Sequence, residues 1–485
     1  MAMDPRVAPG MTSEAAQPAG VFEAFARRFP PHIVFLVVGG LNAFLLAGLT
    51  PPFRVDDEFQ HYFRAYELSE GRIWGMNEGG RPGDEIPISL QDFVRRTWGT
   101  LEVWKFEVHD ERTLLDEWRS PHEQFAAEPR KFTEFLTAGY TPLFYVPQTL
   151  AFALGRTFDA SPIALLLIGR LANAFAAIAV IAAALKLLPI GREMALAVAL
   201  LPQAQFEYAS LAPDASIIAA GFMLVAVVLR AGRQGTWSWP SLLLGALSAA
   251  ILCAKVVYAP LLAVAAPAAF QSRERGAPPS SRSQMPWPRI LIGAMALGAT
   301  YFWTASNWTA MTSRTASGAA AAKIAAIAAH PLQFALLLVD DVASNGPKYF
   351  VTWVGIGASY VITLPLYVYL LATISFVLST FLPRDDSGGA RKLAIVWNVC
   401  LMVSVLVLTQ TAMYAFFPTS EGFRGIFGVA GRYFLPLGAI MAATFASLFG
   451  VARFEHGKAL GYALLIGIAL VNTFALDWMI ATRFG

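Results

Sequence analysis

Residues Ile33 to Leu68 read IVFLVVGGLNAFLLAGLTPPFRVDDEFQHYFRAYEL. The first part, Ile33 to Leu49, is almost wholly apolar and stops at Thr50-Pro51-Pro52; the second opens on three acids, Asp56-Asp57-Glu58, and is polar with a helical period. A hydrocarbon layer roughly 30 Å thick needs about 20 apolar residues to cross it as a helix. The apolar run is read as a first membrane span, about 33–50, following a cytoplasmic tail over residues 1–32 that is rich in Ala, Pro and Gly. Arg27 and Arg28 just before the run place the N-terminus in the cytoplasm. No small-residue cleavage site ends the run, so it is expected to be a retained anchor.

The whole chain repeats this message. Of its 485 residues 56% are hydrophobic and only 14% charged, with a mean hydropathy of +0.52. A soluble domain carries roughly 25% charged residues, so a soluble enzyme, a disordered protein and a nucleic-acid binder are all set aside. The net charge of +3 leaves no basic patch dense enough for nucleic acid. Cys253 and Cys400 both lie in apolar runs, which argues against a disulfide framework or a zinc site. The expectation is an all-α polytopic membrane protein.

Further apolar runs fall at about 162–185, 194–210, 215–230, 239–254, 256–271, 289–306, 360–382, 393–414, 433–451 and 459–481, about eleven spans with the first. Spans two to seven occupy 161–306 and spans eight to eleven 360–485, with hydrophilic loops at 51–160 and 307–359. Tyr140 to Leu154 is apolar but short and carries Pro142 and Pro147. Read as a re-entrant or juxtamembrane helix, it leaves Lys186, Arg192, Arg230, Arg233, Arg273, Arg275, Arg282, Arg384, Arg391, Lys392, Arg453 and Lys458 on the cytoplasmic side; read as a span, it would export all of them. The positive-inside rule selects the first. The loops 51–160, 307–359 and 415–432, Asp214 and the Lys255 junction then meet on the outer face. Ala-rich 318–330 is expected there as a helix too short to span.

The acidic stretch carries the chemistry. Asp56 is a suitable N-cap. Phe59, Tyr62, Phe63 and Tyr66 share one face of the helix that follows, Asp57, His61 and Arg64 another. The expected result is an amphipathic helix lying on the membrane with carboxylates at its start. Such a carboxylate can take a proton from a hydroxyl. Paired acids, with Asp214 as a further candidate, can also hold a magnesium or manganese ion. Capping and the helix dipole explain acids at that position equally cheaply.

An Asp57-Glu58 pair directly after the first span resembles the type-C (GT-C) glycosyltransferases, polytopic enzymes that use polyprenyl-phosphate-linked sugars. The longer string Asp57-Glu58-x-x-His61-x-x-Arg64-Ala65-Tyr66, then Gly71, is similar to a bacterial family of polytopic membrane proteins of unknown function grouped with that fold. Tyr140-x-Pro142, Leu201-Pro202, Asp214-Ala215, Lys255-x-x-Tyr258-x-Pro260, Leu364-Pro365 and Gly431-Arg432-Tyr433 follow in the same order, so the resemblance runs over most of the chain. It implies Asp57 as catalytic base and Glu58 as its positioning or metal-binding partner. The family often has proline where this chain has Asp56, which leaves open whether Asp56 or Asp57 faces the acceptor.

Other charged positions have a functional and a plain reading. Asp214 either completes the acidic site or starts a helix. Lys255 lies between apolar runs, beside Tyr258, and either holds a phosphate or snorkels. Arg432 and Tyr433 open a span on the outer side, where positive-inside bias disfavours arginine; a guanidinium pairs well with phosphate, and Arg424 is a weaker second. Arg170, inside the second span, lines a lipid-phosphate cavity or pairs with an acid of the long loop. His61 tunes the base, binds acceptor or is plain surface. The loop tryptophans either stack on sugars or anchor in the interface.

The resemblance implies an inverting transferase that moves a sugar from a polyprenyl-phosphate donor to a hydroxyl of a cell-envelope or lipid-linked glycan, on the periplasmic face of the bacterial inner membrane. A lipid or polysaccharide transporter or flippase is the second class, although no internal repeat is visible. A noncatalytic envelope-assembly subunit is the third.

Overall fold

The computed structural model describes residues 28–98, 125–234, 236–265, 287–307, 314–355, 364–380, 391–416, 426–448 and 457–484. It is mostly helical. Helix α1 (Pro31–Leu49) starts on a proline, whose missing N–H costs nothing in a first turn. It has one π-helical turn over Phe35–Gly39 and ends where Thr50 turns extended ahead of the two prolines.

The hydrophilic region after α1 is folded. Helix α2 (Glu58–Ser69) is followed by a three-stranded antiparallel sheet of β1 (Met76–Glu78), β2 (Arg81–Pro87) and β3 (Arg130–Glu134), in that spatial order, and by α3 (Ile88–Trp98) directly after β2. Asp84 pairs with Thr133 across the β2–β3 ladder. Phe59, Tyr62 and Phe63 of α2 share an apolar core with Ile86, Leu90, Phe93 and Phe135. Helix α2 does not lie on the membrane with a wet polar face, as its periodicity suggests: every residue from Glu58 to Leu68 is buried. Its polar stripe is covered by other parts of the chain, and each charge on it has a protein partner instead of water.

The remaining elements are helical. Helix α4 (Val146–Thr157), the short element at the expected re-entrant segment, packs on α5 (Pro162–Leu187). Then come α6 (Arg192–Ala199), α7 (Pro202–Tyr208), α8 (Asp214–Gln234), α9 (Trp239–Ala254) and a 3-10 helix over Val256–Ala265. Helices α10 (Trp287–Ser306), α11 (Arg314–Ala329), α12 (Pro331–Val354), α13 (Leu366–Thr380) and α14 (Arg391–Phe416) follow. A 3-10 turn over Gly431–Leu437 leads into α15 (Gly438–Leu448), and α16 (Gly457–Phe484) ends the described chain. Helices α1, α5, α8 and α9 pack in succession, with α10 against α9.

Among the described residues, five helices are long and apolar enough to cross a membrane: α1, α5, α8, and the stretches Lys392–Phe416 and Gly461–Thr482. A sixth arises if Ala320–Ala329 and Pro331–Val354, bent by 107°, count as one broken span. The other expected runs are shorter or interrupted, for visible reasons. The run 194–210 breaks at Leu200-Leu201-Pro202, because proline removes a helical hydrogen bond and clashes with the preceding turn. Pro260 and Pro436 sit in the tighter 3-10 segments of two other runs. The stretch 307–359, expected as a loop, carries α11 and α12, since His330-Pro331 bends a continuous apolar pattern without ending it.

Candidate functional site

The loop between α1 and α2 sets the geometry. Asp57, not Asp56, occupies the N-cap position of α2, and it does so in the left-handed region at φ 61°, with no side-chain cap hydrogen bond. A non-glycine residue there carries a backbone strain of about 1 kcal/mol or more, so capping does not account for it. Its Oδ1 accepts a hydrogen bond from Gln60 Nε2 at 3.3 Å, and it makes no ion pair with any described residue. Crowding by protein raises its pKa above the ordinary carboxylate value; the nearby Arg432 opposes this, while Asp56 and Asp214 reinforce it. Solvent still reaches the residue, which keeps the rise below that of a sealed carboxyl.

Two cations from the far side of the sequence come to the same place. Arg432 donates to Asp56 Oδ2 at 2.7 Å, lies 3.8 Å from Glu207 Oε1 and stands over the Tyr433 ring. Its buried Nε has no partner among the described residues. Lys255 Nζ reaches Asp214 Oδ1 at 3.4 Å and sits 4.8 Å from the centre of the Tyr433 ring. Tyr258 donates to the Tyr433 carbonyl at 2.9 Å, tying the two cation-bearing segments together.

Arg432 is placed by α12. The Gly431 N–H donates to Thr352 Oγ1 at 2.7 Å, and a Cβ at Gly431 would overlap the Tyr349 carbonyl oxygen, so only glycine allows this approach. About two to three turns earlier in the same helix, the buried Asp341 carboxylate accepts from Ile426 N at 3.1 Å, Gln410 Nε2 at 2.8 Å, Asn345 Nδ2 at 2.8 Å and the Tyr349 hydroxyl. The segment 426–431 is thereby pinned at both ends before it delivers Arg432.

Several expected site residues are engaged elsewhere. Glu58 is fully buried, and both oxygens are used: Oε1 accepts from Arg170 Nε (2.8 Å) and Leu211 N (3.1 Å), Oε2 from Arg170 Nη2 (2.5 Å) and Phe53 N (3.1 Å). Arg170 spends its remaining donors on the carbonyls of Ala47, Thr50 and Pro51 at the end of α1. Of its two readings, pairing with an acid of the long loop is the one the geometry shows. Glu58 therefore cannot join Asp57 and Asp214 in holding a cation, and among the described residues no three acidic, His or Cys side chains converge as a metal site would require. Arg64 is likewise consumed, by Glu67 at 2.5 Å and by the carbonyls of Tyr140 and Ile73.

His61 is buried with its Nδ1 2.8 Å from the Tyr145 hydroxyl. Burial, with Arg432 and Lys255 adding to it against Asp214, lowers its pKa to about 3, so the ring is neutral near pH 7. It is neither a surface residue nor a charged partner of the base. Arg424 lies outside the described residues.

Glu207 was not among the expected residues. It is fully buried in α7, accepts from Gln203 Nε2 at 2.7 Å and faces Arg432. An acid within an apolar run is a signal of its own, but Glu207 stands in Phe206-Glu207-Tyr208 with no motif around it.

A family model described as predicted membrane protein (DUF2142) matches residues 41–441. The chain belongs to the DUF2142 family. The matched region begins inside α1 and ends inside α15, so it contains Asp56, Asp57, Glu207, Asp214, Lys255 and Arg432 together. No curated protein and no solved structure matches the chain. Membership of DUF2142 makes the membrane character a property of the family and leaves the chemistry to the site.

Proposed function

We propose that this DUF2142 protein is an inverting glycosyltransferase of GT-C type, using a polyprenyl-phosphate-linked sugar and a hydroxyl acceptor of an envelope or lipid-linked glycan. The single supporting observation is a carboxylate, Asp57, outside any ion pair among the described residues, whose charge feels Lys255 and Arg432, brought into its neighbourhood from about 200 and 375 residues away. Asp57 accepts the proton of the acceptor hydroxyl as that oxygen attacks the anomeric carbon. The bond from that carbon to the phosphate oxygen breaks, the electron pair leaves with the phosphate, and the preset cations meet its charge. With no enzyme nucleophile in the step, the configuration inverts. In this reading the short and broken apolar elements complete about eleven crossings of the inner membrane, and the basic connectors put the site on the periplasmic side.

The broken pair α6–α7 and the 107° bend before α12 are features that transporters share, so a lipid or polysaccharide flippase is the second reading. Mass spectrometry of lipid-linked sugars in a deletion strain, paired with sugar transfer by the purified protein in proteoliposomes, separates them. The transferase reading expects one unused lipid-linked donor to accumulate and Asp57→Asn to lower transfer by about 10²-fold or more. Movement of the lipid without transfer, unchanged in Asp57→Asn, would support the flippase instead.

A further inference from the structure

Lys255 of the charge cluster also lines a cavity of about 210 Å³. It is bounded by the segment 139–144, by α9 and by α10. Phe144, Ala250 and Ala299 give it apolar walls, while Lys255, Thr300 and Trp303 also line it. Trp303 donates from Nε1 to the Gly139 carbonyl at 2.9 Å and stacks on Trp74 with ring centres 5.3 Å apart. These contacts fasten α10 to the folded region after α1, so the cavity is a built feature.

We propose that this cavity seats the phosphate-proximal part of a single-chain isoprenoid phosphate, with Lys255 as the phosphate contact. The inference rests on the transferase reading and gives its donor a location and a route of entry between α9 and α10. Three observations carry it. Lys255 belongs to both places: Asp214 takes one of its protons on the cluster side, and 27% of its side chain remains accessible. An ammonium has three donors, so a phosphate oxygen can be added without breaking the Asp214 pair. Thr300 Oγ1, buried in the wall, has no hydrogen-bond partner among the described residues, and a buried hydroxyl calls for an acceptor.

Size narrows the class of ligand. Pockets that enclose a drug-sized molecule start at roughly 300 Å³. A space of about 210 Å³ takes a phosphate and the start of one chain, not the head and two acyl chains of a phospholipid. Both bounding helices, Trp239–Ala254 and Ile290–Ser306, are short and apolar, so the rest of a long chain continues into the bilayer. Arg432, paired with Asp56 but with its buried Nε without a partner among the described residues, then meets the same phosphate from the reaction side, and Lys255 from the lipid side.

The test is retention of an isoprenoid monophosphate by the full-length protein in nanodiscs, read by native mass spectrometry. Wild type should hold it at least tenfold more tightly than the matching isoprenoid alcohol or phosphatidylglycerol, and millimolar inorganic phosphate should not displace it. Ala250→Leu with Ala299→Leu, which fills the cavity without touching a charge, should weaken binding at least tenfold. Lys255→Gln should erase the preference for phosphate over alcohol, and Lys255→Arg should restore part of it; Lys255→Gln with Asp214→Asn serves if the single change fails to fold. Unchanged binding in the filled variant overturns the proposal, as does equal binding of phosphatidylglycerol or displacement by inorganic phosphate. Asp57→Asn should bind normally. Binding that behaves as described in a protein without transfer activity would count against the transferase reading alone.

Discussion

Arg432 and Asp56, separated by 376 positions, meet at 2.7 Å. The pair joins the first segment after α1 to the segment entering α15, and Glu207 stands behind it at 3.8 Å from the guanidinium. Removing the guanidinium takes away the cation that faces the fully buried Glu207 carboxyl. Arg432→Ala should therefore raise the donor KM at least tenfold and destabilise the protein, by about 3–5 kcal/mol if the loss resembles that of other buried pairs. Adding Glu207→Gln should recover part of the stability but not the KM, a separation that thermal melts and initial rates read directly. Recovery of both would make Arg432 a structural residue only.

Asp57 separates its own chemistry from its backbone. Asparagine tolerates the left-handed region at least as well as aspartate, so Asp57→Asn should keep the melting temperature within a degree or two while lowering transfer by about 10²-fold or more. Asp57→Ala adds backbone strain to the same chemical loss and should melt lower. A fully active Asp57→Asn protein would remove the base.

Glu58 should behave oppositely. Its carboxylate closes a buried pair with Arg170 at 2.5 Å and holds the N–H groups of Phe53 and Leu211. Either Glu58→Ala or Arg170→Ala leaves a charge or several carbonyls unpaired, at a cost of about 3–5 kcal/mol. The expected readout is a loss of folded protein in membranes, with whatever remains folded retaining its donor KM. Normal yield with a collapsed turnover number would return Glu58 to the catalytic group.

These contrasts show how far the sequence could be read. The apolar runs give the membrane class and most helix positions, because twenty apolar residues have few other uses. Prolines 202, 260 and 436 stand in plain view in the sequence, but whether a proline kinks, tightens or divides a span depends on neighbouring segments that satisfy the freed backbone groups. The clustering of Asp57, Lys255 and Arg432 follows from topology plus motif. The division of labour within Asp56-Asp57-Glu58 does not: the left-handed turn at Asp57 sends the three carboxylates in different directions, to Arg432, to the open site and to Arg170. Glu207 becomes meaningful only when Arg432 is seen facing it.

The clamp on segment 426–431 gives a further expectation. Thr352 accepts the Gly431 N–H at 2.7 Å while donating to the Lys348 carbonyl, so Thr352→Val removes an acceptor and keeps the shape. Arg432 should lose its fixed position, raising the donor KM about three- to tenfold with little change in turnover. Thr352→Ser should restore the wild-type value. A change in turnover alone, with KM constant, would place Thr352 outside the positioning of Arg432.

The pH dependence tests the burial of His61 against the exposure of Asp57. With a pKa of about 3, His61 stays neutral over the working range, so transfer should show no step at the ordinary histidine value. The rate should instead rise with pH through the raised pKa of Asp57, as that base loses its proton. Stability has its own sign. Below about pH 6.5 the unfolded chain protonates His61 and the folded chain does not until about pH 3, so the unfolded state gains and stability falls as pH drops through that window, by at most about 1.4 kcal/mol per unit from this group. Replacement by a neutral isostere, His61→Gln, should flatten the slope between pH 6 and 4 and leave the rate profile in place. A melting temperature whose pH slope is identical in His61→Gln, or a rate profile that loses a step near pH 6.5 in that variant, would show that the imidazole is charged and accessible in the folded protein.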